Sequence, residues 1–131
     1  MHAAEELFDM KYTRIYADTK GETHFIDVEI ELESVDFAPP APHLNLSSYN
    51  PATRYAFCVF PSGWFGDWHP TPQRQIFFIL SGEGELRVSD GEVMRIGPGS
   101  IILVEDTAGK GHVSRVVGSA DLLAAVVQLP D

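Results

Sequence analysis

Apolar and polar residues alternate along much of this chain with period two, a pattern that a strand satisfies and a helix does not. After His24, Ile26, Val28, Ile30 and Leu32 fall on one side while Asp27, Glu29, Glu31 and Glu33 fall on the other. This stretch therefore reads as a long strand with one face on the core and one in water. Residues 54–61, 75–80, 85–88, 93–96, 101–104, 113–117 and 122–129 are further strand candidates, separated by turn signals such as Asp90-Gly91 and Gly97-Pro98-Gly99. Residues 37–43 carry Pro39, Pro40 and Pro42, which lack backbone donors and fix φ, so this segment reads as an extended connector. The only helical hint is residues 3–10, too short to hold a helix by themselves. Many short strands at close spacing predict a sandwich or barrel.

A chain of 131 residues makes one domain with a single core. Its longest apolar runs, 76–80 and 101–104, fall far short of the roughly 20 residues that cross a bilayer. The start of the chain lacks the basic residues of a signal peptide, and the expectation is a cytoplasmic setting. The single Cys58 excludes an internal disulfide, and between Phe57 and Val59 it reads as a small buried hydrophobe. A net charge of −10 repels phosphate backbones and anionic lipid, so the expected partner is a small molecule rather than nucleic acid or a membrane.

From Gly63 the chain runs through His69, Thr71 and Gln75 to Gly82, and continues with Gly84, Asp90-Gly91 and Gly97-Pro98-Gly99. This ordered series of glycines resembles the cupin family, whose first motif sets His-X-His and then Glu between two glycines. On that ruler the second His position is Thr71 and the Glu position is Gln75. The second motif departs further: Glu105, Thr107 and Lys110 stand where Pro, Gly and His belong, His112 takes the His place only if the loop absorbs two extra residues, and Val116 then stands where Asn belongs. The segment Glu105-Asp106-Thr-Ala-Gly109-Lys110-Gly111-His112 resembles one found in a subgroup of small bacterial cupins of largely unassigned function. The resemblance covers about residues 63–117. It implies an all-β double-stranded β-helix (jelly-roll, or cupin barrel) with an N-terminal strand extension: residues 1–40 as extension and edge strands, 41–131 as barrel, one domain overall. It also implies a small-molecule pocket in the barrel's open end and a homodimer.

Cupins commonly hold Fe, Mn, Ni or Zn with three His and one Glu. The positions left here for a metal are His69, Gln75 and His112, and a neutral amide brings no negative charge to a cation. The resulting expectation is no cofactor, or a weakly bound divalent metal. Without metal, His69 and His112 are candidates for general acid and base, against the plainer reading of histidines that satisfy internal hydrogen bonds. His2, His24 and His43 read as surface or loop residues.

Gln75 shares a strand face with Phe77 and Ile79, while Ile76, Phe78 and Leu80 share the other. Two apolar faces suggest a central strand covered on both sides, and a greasy pocket with a few polar groups at its mouth. The candidate substrate-binding residues are Gln75, Trp64, Trp68, Phe77, Tyr55 and Thr71, the aromatics weighed against a place in the core. Arg74 points away from Gln75. Alternation sends Glu105 and Asp106 to opposite faces, so that one faces the pocket, although a solvated loop carboxylate is the plainer fate for either. Lys110, between two glycines, could reach an anionic substrate but lacks the rest of a phosphate-binding loop.

The functional expectation is acid–base processing of a small apolar or aromatic organic molecule by His69 and His112: isomerisation, cyclisation or elimination, the work of an isomerase, cyclase or lyase. Two alternatives stand beside it, a non-catalytic binding or sensing module and a metal-dependent enzyme such as a dioxygenase.

Overall fold

The computed structural model describes residues 10–131. Twelve strands follow one another: β1 (Lys11–Ala17), β2 (Thr23–Glu29), β3 (Glu33–Val35), β4 (Leu44–Leu46), β5 (Arg54–Phe60), β6 (Phe65–His69), β7 (Gln75–Ser81), β8 (Glu83–Val88), β9 (Val93–Ile96), β10 (Ile101–Val104), β11 (His112–Val117) and β12 (Leu122–Gln128). They form a six-stranded sheet ordered β2-β1-β10-β7-β12-β5, a four-stranded sheet ordered β6-β11-β8-β9, and a separate pair β3-β4. All neighbours are antiparallel except β1 and β10.

The core lies between the two larger sheets. Ile15, Ile79, Ile102, Val104 and Ala124 come from one side and Leu86, Val88, Ile96 and Val116 from the other. Each side chain reaches inward because alternate positions of a strand share a face, so burying this set fixes every register. The result is the all-β jelly roll that the sequence predicted. The seven short strand candidates appear within a residue or two of their expected bounds, and the proline-bearing segment 37–43 forms the connection between β3 and β4.

Three expectations need correction. The long strand after His24 ends at Glu29, and its inward residues are Thr23 and Phe25; Ile26 lies 46% exposed on the opposite face. Pairing decides this, because β2 is an edge strand whose register follows β1, and Thr23 inserts its hydroxyl between Ser89 and the Gly111 carbonyl. β7 is central, but among the described residues its outer face is left partly open, with Leu80 exposed and Ile76 and Phe78 half-buried. The helical hint falls on residues outside the described ones, apart from Met10, which is not helical.

Candidate functional site

β6 and β11 pair with His69 directly opposite His112, and the two rings stand 5.1 Å apart between centroids. Gly111 makes this approach possible. Its φ is +77°, and a Cβ there would lie 2.2 Å from the His69 carbonyl carbon, so only glycine lets the chain turn into β11 at this point. The length mismatch in the 105–111 loop is thus absorbed before β11, and His112 reaches the position that its spacing alone left open.

Each imidazole is oriented by a fixed acceptor. His69 Nδ1 lies 2.6 Å from the Asp67 carbonyl, and His112 Nδ1 lies 2.7 Å from Asp106 Oδ2. A carbonyl and a carboxylate only accept, so in both neutral rings Nδ1 carries the proton and Nε2 keeps a lone pair. Asp106 is fully buried, and among the described residues its Oδ1 has no hydrogen-bond partner. Leaving a buried acceptor unpaired costs about 1–3 kcal/mol, which the contact of the other oxygen with His112 offsets.

Both histidines line a cavity of about 130 Å³ whose floor is apolar: Ile79, Leu86, Ile96, Ile102 and Leu122, with Phe77 and Trp64 on its wall. Thr71, Gln75 and Ser114 add the remaining uncharged polar groups. Thr71 donates to the Gln73 carbonyl at 2.8 Å and accepts from Gln75 Nε2 at 3.1 Å, while Gln75 Oε1 accepts from Gln128 Nε2 at 3.4 Å. Arg54 in turn donates to Gln128 Oε1 at 2.6 Å. The two positions that replace metal ligands therefore hydrogen-bond each other.

That chain answers whether a cupin metal fits. Gln75's amide oxygen is engaged and Thr71 is turned toward main chain, which leaves two Nε2 lone pairs where the family's set has four donors. Among the described residues no group of three or more His, Cys, Asp or Glu side chains could hold a metal ion. The residues present do not fit the group.

The structure brings His69, His112, Gln75, Thr71, Phe77 and Trp64 to one cavity, but not Tyr55 or Trp68. Tyr55 sits on the outer face of β5, whose inward positions are Cys58 and Phe60, and Trp68 alternates away from His69 into solvent. Neither carboxylate of the 105–106 pair is a solvated loop residue. Glu105 is gripped by Arg14 and by Arg74 Nη2 at 2.6 Å. Burial alone would raise its carboxyl, but these two guanidinium partners outweigh that and hold it below the usual range. Lys110 is exposed and pairs with Glu22 at 2.7 Å, so it does not reach the cavity. His24 is no free surface histidine, lying between Asp18 and Asp90 at 2.9 and 2.8 Å, while His43 stays exposed and His2 lies outside the described residues. Asp106 and Ser114, together with Glu85 and Arg115, which pair at 2.9 Å and also line the cavity, are the site residues that sequence reasoning did not assign. Because 101–104 is apolar on both faces, alternation alone did not say which of Glu105 and Asp106 continues the inward set.

A family model described as a cupin domain matches residues 56–127, more than half of the sequence. The chain belongs to the cupin family. Solved structures similar to this cupin include a Cupin 2 conserved barrel domain protein from Salinispora arenicola, 17% identical with a TM-score of 0.50 over 77% of this chain and 76% of that one. The DMSP lyase DddQ from Ruegeria pomeroyi is 19% identical, with a TM-score of 0.50 over 77% of this chain and 48% of the lyase. A conserved Streptococcus pyogenes protein of unknown function is 22% identical, with a TM-score of 0.44 over 59% of this chain; the cupin spans 64% of that protein's length. These likenesses concern the fold. No protein of curated function matches the sequence. Among the described residues no helix is long and apolar enough to cross a membrane.

Proposed function

We propose that this cupin binds a small, largely apolar or aromatic organic molecule in its barrel and processes it by acid–base chemistry with His69 and His112. The observation that carries this reading is the pair of imidazoles, each with Nδ1 committed to an acceptor, standing side by side over an apolar floor. A cavity near 130 Å³ is similar in size to engineered apolar cavities that take up benzene, so the buried part of the ligand is about one small ring. Rings 5.1 Å apart leave no room for a planar ligand between them; the ligand meets both from the same side.

In that arrangement His112, steadied by Asp106, takes a proton from a substrate carbon, and the released electron pair forms a new double bond. His69, entering protonated, gives its proton either to a departing group that leaves with its bonding pair, which is elimination, or to the far carbon of a double bond already in the substrate whose π electrons shift there as the new double bond forms, which is isomerisation; in ring closure the released pair instead forms the new ring bond to the near carbon of such a double bond and His69 protonates the far one. Exchange with solvent resets both rings. DddQ is a lyase, but at 19% identity it lends only the fold, so the lyase, isomerase and cyclase outcomes stand on the site alone.

The test is turnover of a ligand found by thermal-shift screening. His69→Ala and His112→Ala should each lower turnover by about 10²–10⁴-fold, while undiminished binding and turnover in His69→Ala would sink the reading. The hydrogen-bonded Thr71 and Gln75 favour one second reading, a binding or sensing module: a ligand that raises Tm with no chemical change in any assay would select it.

A further inference from the structure

Beyond the two Nε2 lone pairs, one polar side chain of the cavity is left over once the chain's own hydrogen bonds are counted. Thr71 and Gln75 are tied to each other and to Gln73 and Gln128, and Glu85 and Arg115 satisfy each other at 2.9 Å. Among the described residues Ser114 makes no side-chain hydrogen bond, although it lines the same cavity. Alternation along β11 sets it on the inward face between His112 and Val116, about 7 Å along the strand from His112. His112 stands at the mouth opposite His69 and Val116 belongs to the core, so Ser114 lies one step deeper than the imidazoles on the same wall. Its cross-strand neighbour on β6 is Gly66. A Cβ on Gly66 would lie 2.6 Å from the tip of the Trp64 ring and 3.3 Å from Ser114 Oγ, so the indole folds over this glycine and comes up beside the hydroxyl. Trp64 meets Phe60 edge-on at 4.9 Å between centroids and Phe60 meets Phe77 at 6.4 Å, which makes one wall of the cavity aromatic.

We infer that the pocket selects an aromatic ring carrying two hydrogen-bonding oxygens para to each other, one held by the imidazoles and the other by Ser114, which makes Ser114 a specificity-determining residue. This rests on the reading of the cavity as a site for a small ring at His69 and His112. A ring that fills a cavity of about 130 Å³ displaces water from the Ser114 hydroxyl. An apolar ring edge there leaves the hydroxyl without a partner, whereas an oxygen restores one, so the site discriminates against the ligand that lacks its match. Spacing chooses the substitution pattern. Ortho oxygens lie within hydrogen-bond distance of each other and both fall at the histidines, whereas a para oxygen reaches one step deeper along β11. A serine hydroxyl both donates and accepts, so a hydroxyl or a carbonyl oxygen serves equally. The wall of Trp64, Phe60 and Phe77 favours a ring over an aliphatic chain of the same size, because edge-on and offset contacts between aromatic rings add to the gain from burial.

The experiment measures dissociation constants for hydroquinone (kept reduced under argon), 4-methylphenol, phenol and catechol by NMR titration of the imidazole and methyl signals, in wild type, Ser114→Ala and Ser114→Cys. 4-Methylphenol has the shape of hydroquinone without the second oxygen, so the ratio of its constant to that of hydroquinone isolates the Ser114 contact. That ratio should fall about 3- to 10-fold in Ser114→Ala, and likewise in Ser114→Cys, which keeps the shape of the side chain with only a weak donor. A ratio of two ligands on one protein does not respond to a general loosening of the fold, and the two variants check each other. The ratio of phenol to catechol, whose second oxygen is ortho, should be the same in all three proteins. A 4-methylphenol-to-hydroquinone ratio that neither substitution moves, with both imidazoles still shifting, would overturn the inference and leave the acid–base reading of the pocket standing. A phenol-to-catechol ratio that falls as far would overturn it too. Failure of all four ligands to shift either imidazole would instead strike the reading of the pocket, and the inference with it.

Discussion

Asp106 carries more of the site than its place in a loop suggests. Among the described residues it is the only contact that fixes which nitrogen of His112 bears the proton, and its second oxygen has no partner there. Asp106→Asn keeps the shape but can present an N–H toward Nδ1, which reverses the tautomer and turns the Nε2 lone pair into a donor. The expected result is turnover lower by at least about 10²-fold, with a change of His112 tautomer in ring nitrogen NMR. Asp106→Ala instead leaves the Nδ1 proton without an acceptor in a buried place and should lose about 1–3 kcal/mol in denaturant unfolding. Thr71 and Gln75 make a second prediction at this scale. Because their side chains satisfy each other, Thr71→His with Gln75→Glu rebuilds a four-donor set, and calorimetry should show Ni²⁺ or Zn²⁺ bound at least tenfold, or about 1.4 kcal/mol, tighter than by wild type. Affinities that stay equal would mean the cavity mouth does not aim these positions at a common point. Residue by residue, the spacing from Gly63 to Gly82 made His69, Thr71 and Gln75 legible. Tyr55 and Trp68 were not, because an aromatic beside a motif is equally at home on either face, and only cross-strand pairing tells which.

The β6–β11 pairing is the element that brings the two histidines together, and it depends on a left-handed turn at Gly111. Gly111→Ala must accept both a strained φ and a Cβ driven into the His69 carbonyl, so a loss of about 3 kcal/mol or more is expected in urea unfolding, together with altered His69 and His112 ring signals. A variant as stable as wild type would show that the loop has another route into β11. Against this same end of the loop, where Lys110 N–H donates to the Gly21 carbonyl, the β1–β2 turn is clipped to the β8–β9 turn by His24. Its hydrogen bonds to Asp18 and then Asp90 raise its pKa above 6.5. A raised value in the folded state means the clip contributes fully below pH 6.5 and fades as pH rises through the folded value. The Tm difference between wild type and His24→Gln should therefore be largest in mild acid and shrink toward pH 8; a difference that grows with pH would contradict the clip. Strands that alternate cleanly or are apolar on both faces, such as β7, β9, β10 and β12, were readable from sequence. β1 and β6 were not: Arg14 stands on β1 because Glu105 and Tyr16 receive it there, and Gly66 and Asp67 disfavour a strand until β11 lies alongside. The β2 register was misread for a related reason, since Thr23 rather than Ile26 finds the buried partners.

As a whole the molecule is a cupin barrel that has kept its walls and changed its mouth. Glycines at the corners and period-two strands announced the barrel, because both are demands of the backbone that any cupin must meet. The mouth was only half legible: a ligand position filled by another residue says what the site has lost, whereas the Thr71–Gln75 hydrogen bond and the Asp106–His112 contact depend on how distant segments meet. The uncharged outer face that β5, β12 and β7 share was hidden similarly, since an apolar strand face reads as core until the fold shows it open among the described residues. The central claim is that a small ring sits on the apolar floor with its polar atom at His69 and His112, and titration with phenol under methyl and imidazole NMR tests it most directly. The account predicts saturable shifts at Ile79, Ile102 and Leu122 together with both histidine rings, abolished by filling the floor with Ile102→Trp. Shifts confined to other surfaces, or a phenol response untouched by Ile102→Trp, would contradict it.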